Sequence, residues 1–485
     1  MSAVLIALMV LPFAAAVASA AAPMRVAKVL TVAGGLSTFG LSISLLESKG
    51  DAAALAGWLR VDPLSLVFLL AVAFLYVTTA IFAVGYAQPR SSERETRHYS
   101  RRFFAGLNLF AWAMVMAPVV NGFTLLWVAI EVTTVVSALL VATDDTDGAV
   151  EAAWKYVLIA SMGLGVALLA TLVMYYAGTA SLGGSYELFY PRLLAAAGHF
   201  NPEVVRLAFG LAVVGFGTKM GLVPVHTWLP DAHSEAPTPV SALLSGALLT
   251  VSFYGILRFY QVTTRAVGPA YPRSVLLVFG IASLALAALY LARQRDLKRL
   301  LAYSSIEHMG ILAIGMSFSA PIAVVGVLLQ VLAHAAAKST AFFGAGSVIA
   351  KFGTKELERV RGGIGALPWS GPMFLLSVLA LSAMPPFGIF RSEFLIVEGG
   401  LGSSATALVA VLLLLVTIAF LGLSWYASQT MLTPLPSGVV RGEVSTTMAL
   451  SMGLGLAALV LLGIHPPAQL SELLTRAAGE LRGAR

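Results

Sequence analysis

Apolar runs of about 20 residues, the length that crosses the hydrocarbon of a bilayer, recur from one end of this sequence to the other. With 59% hydrophobic residues, 11% charged residues and a mean hydropathy of +0.89 over 485 residues, a water-soluble core could not hide so much apolar surface. In lipid every backbone N–H and C=O must be satisfied by the chain itself, which leaves helices or closed barrels. The runs are far longer than barrel strands. The expected class is an all-α polytopic membrane protein.

Fourteen spans are expected, near 3–22, 25–46, 63–87, 103–120, 122–142, 151–178, 203–222, 238–260, 273–292, 299–318, 320–350, 368–400, 405–428 and 446–464. The longer connections are 47–62, 179–202 and 428–445, and 465–485 reads as a short polar tail without a further long helix. The first run, MSAVLIALMVLPFAAAVASAAAP, has the Ala-Ser-Ala of a secretory signal but no Lys or Arg before its apolar stretch. It is read as a retained helix.

The chain has no cysteine, so it cannot hold a thiolate-bound iron–sulfur or nickel site. It also has no G-x-x-x-x-G-K-[ST] phosphate loop. No cofactor is expected in this chain; redox or ATP energy would have to enter through another subunit.

With the N-terminus outside, the odd-numbered connections fall inside. They carry Arg25, Lys28, Arg90, Arg94, Arg97, Arg101, Arg102, Lys155, Arg293, Arg295, Lys298, Arg299, Lys351, Lys355, Arg359, Arg361 and Arg441, which is 17 basic residues against 10 on the other face. The positive-inside rule then puts both termini on the outer face of the cell's inner membrane. This bias explains the basic excess without nucleic acid.

Three of the 30 basic residues remain inside apolar runs: Lys219, Lys338 and Arg391. Glu131, Glu307, Glu393, His308 and His334 join them. A charge at bilayer depth costs a few kcal/mol, so it faces a watery cavity or pairs with another charge. A structural clip needs two such groups. A set spread over at least five spans reads as a path.

Two spans are also broken. Gly221, Pro224 and Pro230 follow Lys219 in the seventh, and Pro385, Pro386 and Gly388 precede Arg391 and Glu393 in the twelfth. Proline frees carbonyls at membrane depth, which is tolerated only where the backbone is buried in protein or lines a hydrated cavity. Interrupted spans five apart fit inverted repeats in which spans four to eight recur as nine to thirteen. The resulting division is 1–102 as a three-helix segment, 103–262 and 273–428 as five-helix repeats, and 429–485 as a last helix and tail.

Burial disfavours the charged form of a lysine and a neighbouring carboxylate favours it. A lysine held between those effects can load and release a proton when its partner moves. Glu131, within VAIEVTTVV, is the expected partner of Lys219, and His308 and His334 are suited to relay a proton onward. Lys338 follows His334 by four residues and shares its helix face. His226, Asp231 and His233 lie in a proline-rich turn without helical ligand spacing, so no metal is expected there; Asp231 and Glu235 read as caps for the next helix. Trp127, Trp154 and Trp228 read as packing residues or interfacial anchors.

These residues sit in four stretches: PVHTWLPDAHSEAPTPVSALLSG, DLKRLLAYSSIEHMG, LAHAAAKSTAFFGAGS and MPPFGIFRSEF. They resemble the antiporter-like subunits of respiratory complex I, Mrp cation/proton antiporters and group 4 membrane-bound hydrogenases, most of all the hydrogenase-4 branch. The resemblance covers roughly residues 60–430. It implies fourteen helices, two inverted five-helix repeats and a hydrated polar axis along the membrane midplane. It matches Glu131 to the family's fifth-helix glutamate and Lys219 to its broken-helix lysine. His334 and Lys338 match the polar positions of its eleventh helix, and Glu393 the acidic end of the path. Where many members have a bridging lysine on the eighth helix, this chain has Thr250 in ALLTVSFYG, and a hydroxyl cannot store a proton.

The function expected is a proton-translocating subunit of a redox-driven complex, with membrane and peripheral redox subunits and lipid as partners. The alternatives are a cation/proton antiporter moving protons or sodium ions without redox partners, or a scaffold whose axis no longer conducts.

Overall fold

The computed structural model describes residues 1–47, 51–318 and 320–482. Part of the expected 47–62 connection and the last three residues of the tail lie outside this set. The chain opens with α1 (Ser2–Ala21) and α2 (Met24–Glu47), then a two-stranded antiparallel hairpin, β1 (Ala52–Ala54) and β2 (Leu59–Val61). Next come α3 (Pro63–Tyr86), α4 (Glu93–Val119), α5 (Phe123–Val141), α6 (Asp147–Leu182) and α7 (Pro202–Met220). The short α8 (Leu229–Glu235) leads into α9 (Thr238–Val267), followed by α10 (Ala270–Leu291), α11 (Leu297–Ser317) and α12 (Pro321–Phe352). The chain closes with α13 (Ser370–Leu381), α14 (Gly388–Gly402), α15 (Thr406–Met431), α16 (Thr446–Ile464) and α17 (Ala468–Arg482).

Several helices start on local capping chemistry. Asp62, Thr146, Asn201 and Asp296 each accept a backbone N–H in the first turn of the helix that follows. Pro63, Pro202 and Pro321 occupy first-turn positions, where a missing N–H costs nothing.

Among the described residues, eleven helices are long and apolar enough to cross a membrane, so the chain is a nearly all-helical, multi-pass membrane protein. The three other expected spans are α7, α11 and the pair α13/α14, which hold Lys219, Glu307 with His308, and the second break. Burial ranks the helices. The most apolar stretch of α9 is 100% buried and that of α12 89%, against 28% for α15. The centre is thus built from α9, α12 and α3, with α1, α2 and α15 outermost. Small residues let the backbones meet: Gly163 of α6 packs on Thr218 of α7, and Gly280 of α10 on Gly310 of α11.

Two elements depart from the sequence reading. The β1/β2 hairpin interrupts an otherwise helical chain, and its Leu59 bridges to Val120 after α4. The tail is not merely a polar end: α17 is amphipathic and lays Leu473, Leu474, Ala477, Ala478 and Leu481 against the bundle. Those residues recur every three or four positions, one face of a helix.

Connections gather at two ends. At one end Arg90 pairs with Asp144 (3.1 Å), Lys155 and Arg299 share Asp231 (3.3 and 2.8 Å), and Lys355 meets Glu235 (2.7 Å). At the other, the hairpin end, Asp62, Arg258 and Glu480 converge.

Candidate functional site

The expected site residues fall into two buried polar clusters. The first lies among α5, α6 and α7. Lys219 is fully buried in the last turn of α7, where Gly221, at φ 85°, stops the helix. Its Nζ donates to Thr134 Oγ1 at 2.8 Å and to the Tyr156 hydroxyl, and sits 4.4 Å above the Tyr156 ring. The Tyr156 hydroxyl continues to Ser137 Oγ at 2.7 Å. Glu131 lies one turn before Thr134; its Oε1 accepts from Ser161 Oγ at 3.3 Å and its Oε2 is buried without a partner. No ion pair joins carboxylate and ammonium: Nζ is bonded to Thr134 and Tyr156 and Glu131 Oε1 to Ser161, although Glu131 lies within electrostatic reach of Lys219. The broken backbone is satisfied locally, since Trp228 Nε1 donates to the Thr218 carbonyl at 2.8 Å.

The second cluster joins α9, α11, α12 and α14. On α12, Gln330, His334 and Lys338 repeat every four residues and form one stripe. Gln330 Nε2 donates to His308 Nδ1 at 3.1 Å and to Glu393 Oε1 at 3.3 Å, while its Oε1 accepts from Ser392 Oγ. His308 lies 3.8 Å from Glu393 Oε1, and its ring meets that of His334 edge-on at 5.1 Å. His334 Nε2 donates to the Ser245 carbonyl at 3.2 Å, and Ser245 Oγ is 2.7 Å from Ser305 Oγ. Lys338 donates to Ser304 Oγ (2.8 Å) and the Leu301 carbonyl (3.0 Å). Glu307 is buried next to Ser304 with one carboxylate oxygen unpartnered. Glu393, at 12% exposed, is the least buried member.

The remaining residues singled out from the sequence lie elsewhere. Thr250 turns its hydroxyl back onto the Gly246 and Ala247 carbonyls of its own helix (3.3 and 2.9 Å). The contact from α9 to the second cluster comes instead from Ser245, inside a π-helical turn at Leu244–Leu248. Arg391 donates to the Gly463 and Ile464 carbonyls at the end of α16, both at 3.3 Å. Asp231 and Glu235 do not cap α9, because bases from neighbouring connections claim them. His226 is buried with Nδ1 unpartnered, and His233 lies on α8. Among the described residues no group of three His, Cys, Asp or Glu could hold a metal ion. Trp228 packs on Tyr156 at 4.6 Å, Trp127 donates to the Leu164 carbonyl, and Trp154 is exposed.

Sequence reasoning missed Tyr156, Ser245, Gln330 and Ser392. Gln330 had a usable signal: it falls four residues before His334, in line with Lys338.

Comparison with known proteins places the chain. Residues 121–422 match the family model for the transmembrane region of NADH:quinone oxidoreductase and Mrp antiporter subunits. The chain is 35% identical to the hydrogenase-4 component F homolog of Methylacidiphilum infernorum over 376 residues, 74% of this chain and 78% of that protein. A chain of the Mrp complex from Dietzia sp. shares the fold at a TM-score of 0.86 and 18% identity, covering 99% of this chain and 98% of that one. A chain of respiratory complex I from Thermus thermophilus does so at 0.82 and 24%, covering 98% and 99%. The chain belongs to the NADH:quinone oxidoreductase/Mrp antiporter transmembrane family and is an antiporter-like membrane subunit of the complex I, Mrp and hydrogenase-4 type.

Proposed function

We propose that this subunit moves protons across the cytoplasmic membrane within a redox-driven complex of the hydrogenase-4 kind. The observation that carries the reading is the second cluster: Glu393, Gln330 and His308 joined by hydrogen bonds, His308 and His334 meeting ring to ring, and His334 joined to Ser305 through Ser245, inside an otherwise apolar bundle. Buried charge at this depth is retained only where it does work or is paired, and the hydrogen bonds that hold these groups come from amide, hydroxyl and carbonyl groups. Glu131 and Lys219 form the loading site of the first half. His308, His334, Lys338 and Glu393 carry the proton through the second, with Glu307 as an accessory carboxyl. Electron transfer in a partner subunit would shift the Glu131–Lys219 relation and start the movement.

Counting α7, α11 and the α13/α14 pair as crossings gives fourteen. The breaks after Lys219 and before Glu393 then occupy equivalent places in two inverted repeats, 103–262 and 273–428, flanked by 1–102 and 429–485. The end carrying Lys155, Arg299 and Lys355 faces inward by the positive-inside rule, with both termini outside. Redox and membrane subunits and lipid are the partners in this reading.

The test uses inverted membrane vesicles from cells that express the chain with its neighbours. Lys219→Ala should leave the complex assembled and electron transfer measurable while proton uptake falls to background. Undiminished uptake would remove the role from Lys219, and uptake that depends on sodium without any redox substrate would select cation/proton antiport instead.

A further inference from the structure

Apart from both buried clusters, a cavity of about 560 Å³ opens at the end of the bundle that carries Arg299 and Lys355. Three stretches of chain build it. The α10–α11 connection supplies Arg293 and Arg295, the segment between α12 and α13 supplies Glu358 and Arg361, and the end of α15 supplies Trp425 and Gln429. Three guanidiniums thus line the cavity with one carboxylate, which leaves two positive charges unmatched. Arg293 and Arg295 form no ion pair among the described residues.

An exposed basic loop is ordinarily no more than a solvated surface. Here the backbone that carries the arginines is fixed from two sides. The N–H of Gln294, between them, donates to the Tyr426 hydroxyl of α15 at 3.0 Å. The Arg295 carbonyl accepts from the Leu357 N–H at 2.9 Å, and Asp296 bridges to Glu356. Arg361 Nη1 donates to the carbonyl and to Oε1 of Gln429, at 3.1 and 3.0 Å. A guanidinium has five N–H donors, and both of these bonds use Nη1 alone. Like charges held together repel one another, and an anion between them relieves that repulsion. The arginine fork also matches a pair of phosphate oxygens.

The flank of α15 distinguishes between anions. Leu414, Leu421, Trp425 and Leu432 follow one another at spacings of seven, four and seven residues, which keeps them on one helix face. Each is 60–63% exposed, on the least buried of the eleven long helices. Trp425 belongs to both the apolar stripe and the basic cavity, the place of an interfacial anchor. A soluble phosphate would use the arginines alone. A phospholipid uses both parts: its phosphate takes the guanidiniums and an acyl chain lies along the leucines.

We propose that this cavity binds the phosphodiester headgroup of an anionic phospholipid, with an acyl chain on the α15 stripe. The bound lipid ties α15 to the α10–α11 and α12–α13 connections. None of its residues belongs to the proton path proposed above, so the site stands or falls independently of that reading.

The test takes the assembled complex, solubilised in neutral detergent and stripped of lipid, and titrates it with phosphatidylglycerol. Native mass spectrometry counts the lipids retained. Arg293→Gln/Arg295→Gln should retain one phosphatidylglycerol fewer per copy of this chain than wild type. Half-occupancy of that site should need roughly thirtyfold more lipid, from the attraction of two arginines for an anionic headgroup. Arg359→Gln is the control: Arg359 lies outside the cavity, paired with Glu356, and its loss should leave the count unchanged. A wild-type count in the double variant overturns the proposal, and so does an equal loss in Arg359→Gln. Displacement of the lipid by inorganic phosphate at equal concentration would make this a soluble-anion site. Equal retention of phosphatidylcholine would reduce it to an acyl-chain groove, and either result overturns the assignment. If the double variant does not assemble, Arg295→Gln alone should show the same lost lipid with a shift of about fivefold, and no shift there counts equally against the site.

Discussion

His308 and Glu393 stand 3.8 Å apart, Nδ1 to Oε1, and one amide group, Nε2 of Gln330, donates to both. Ser392 fixes the other end of that amide, so Gln330 is oriented rather than free. A neutral side chain thus sets the geometry between two titratable ones on different helices.

Gln330→Leu should therefore uncouple without unfolding. It keeps a branched side chain, one atom shorter, and removes both donors. A hydrogen bond to a charged group is worth about 1.5–3 kcal/mol, so transfer between His308 and Glu393 should slow by roughly tenfold to a hundredfold. Proton uptake in vesicles, with electron transfer as the internal control, checks it. Gln330→Glu should fall between the two, because it keeps an acceptor for Ser392 but adds a charge.

Tyr156 makes a parallel case in the first cluster. Its hydroxyl contacts Lys219 and Ser137, and its ring faces the ammonium at 4.4 Å. Tyr156→Phe removes the hydroxyl but keeps the ring, whose attraction for a cation is worth about 0.5–2 kcal/mol. Tyr156→Leu removes both. Proton uptake should decline in the order wild type, Phe, Leu; equal rates in all three would show that Lys219 needs only Thr134.

What the sequence revealed and what it hid follow one physical rule. Lys219, Lys338, His308, His334, Glu131 and Glu393 stood out because a titratable group in an apolar run is costly and hence rare. Tyr156, Ser245, Gln330 and Ser392 did not, because serine, glutamine and tyrosine are ordinary in membrane helices and show their partners only when helices pack. Breaks were legible from proline and glycine: the expected 368–400 span resolves into α13 and α14 at Pro385–Pro386. The Lys219–Glu131 pairing is looser than residue type implied, since spacing along separate helices does not fix which hydroxyls the ammonium reaches. The helix α17 was readable and missed; its polar average concealed a 3.6-residue apolar period.

That helix carries a pH dependence. Glu480 Oε2 accepts from the Leu64 N–H at 3.3 Å, at the start of α3, beside Asp62 and Arg258. Burial, reinforced by the Asp62 carboxylate and opposed by Arg258, pushes the Glu480 carboxyl up to about 8. Asp62 stays low: burial alone would raise it, but the Arg258 guanidinium, donating at 2.6 Å, overrides that. Docking that raises a carboxyl's pKa favours the protonated form, so its stabilisation is complete below the ordinary value of 4.5 and is lost as pH rises through about 8. Amide hydrogen exchange in α17, corrected for intrinsic rates, should therefore accelerate between pH 7 and 9. Glu480→Gln, which is neutral throughout, should remove that acceleration; an unchanged profile would place the transition elsewhere.

The last prediction ties packing to the site. Gly326 of α12 lies against α14, and a Cβ there would meet the Ser392 carbonyl at 2.8 Å and the Ile396 N at 3.0 Å. Both are backbone atoms, so no side chain can swing aside; α14 itself must move. Ser392 and Glu393 ride on that helix, and the 3.3 Å contact from Gln330 to Glu393 spans the same interface. Gly326→Ala should cost about 1–3 kcal/mol as an overpacked core substitution, lowering the thermal midpoint of the detergent-solubilised complex. It should also slow proton uptake beyond what the lost stability explains, because a shift of a few tenths of an ångström weakens hydrogen bonds already near their limit. Gly402→Ala, at the end of α14 with open space around its Cβ, is the control and should change neither quantity. If Gly326→Ala lowers stability while uptake per assembled complex stays at the wild-type rate, the Gln330–Glu393 contact is not limiting.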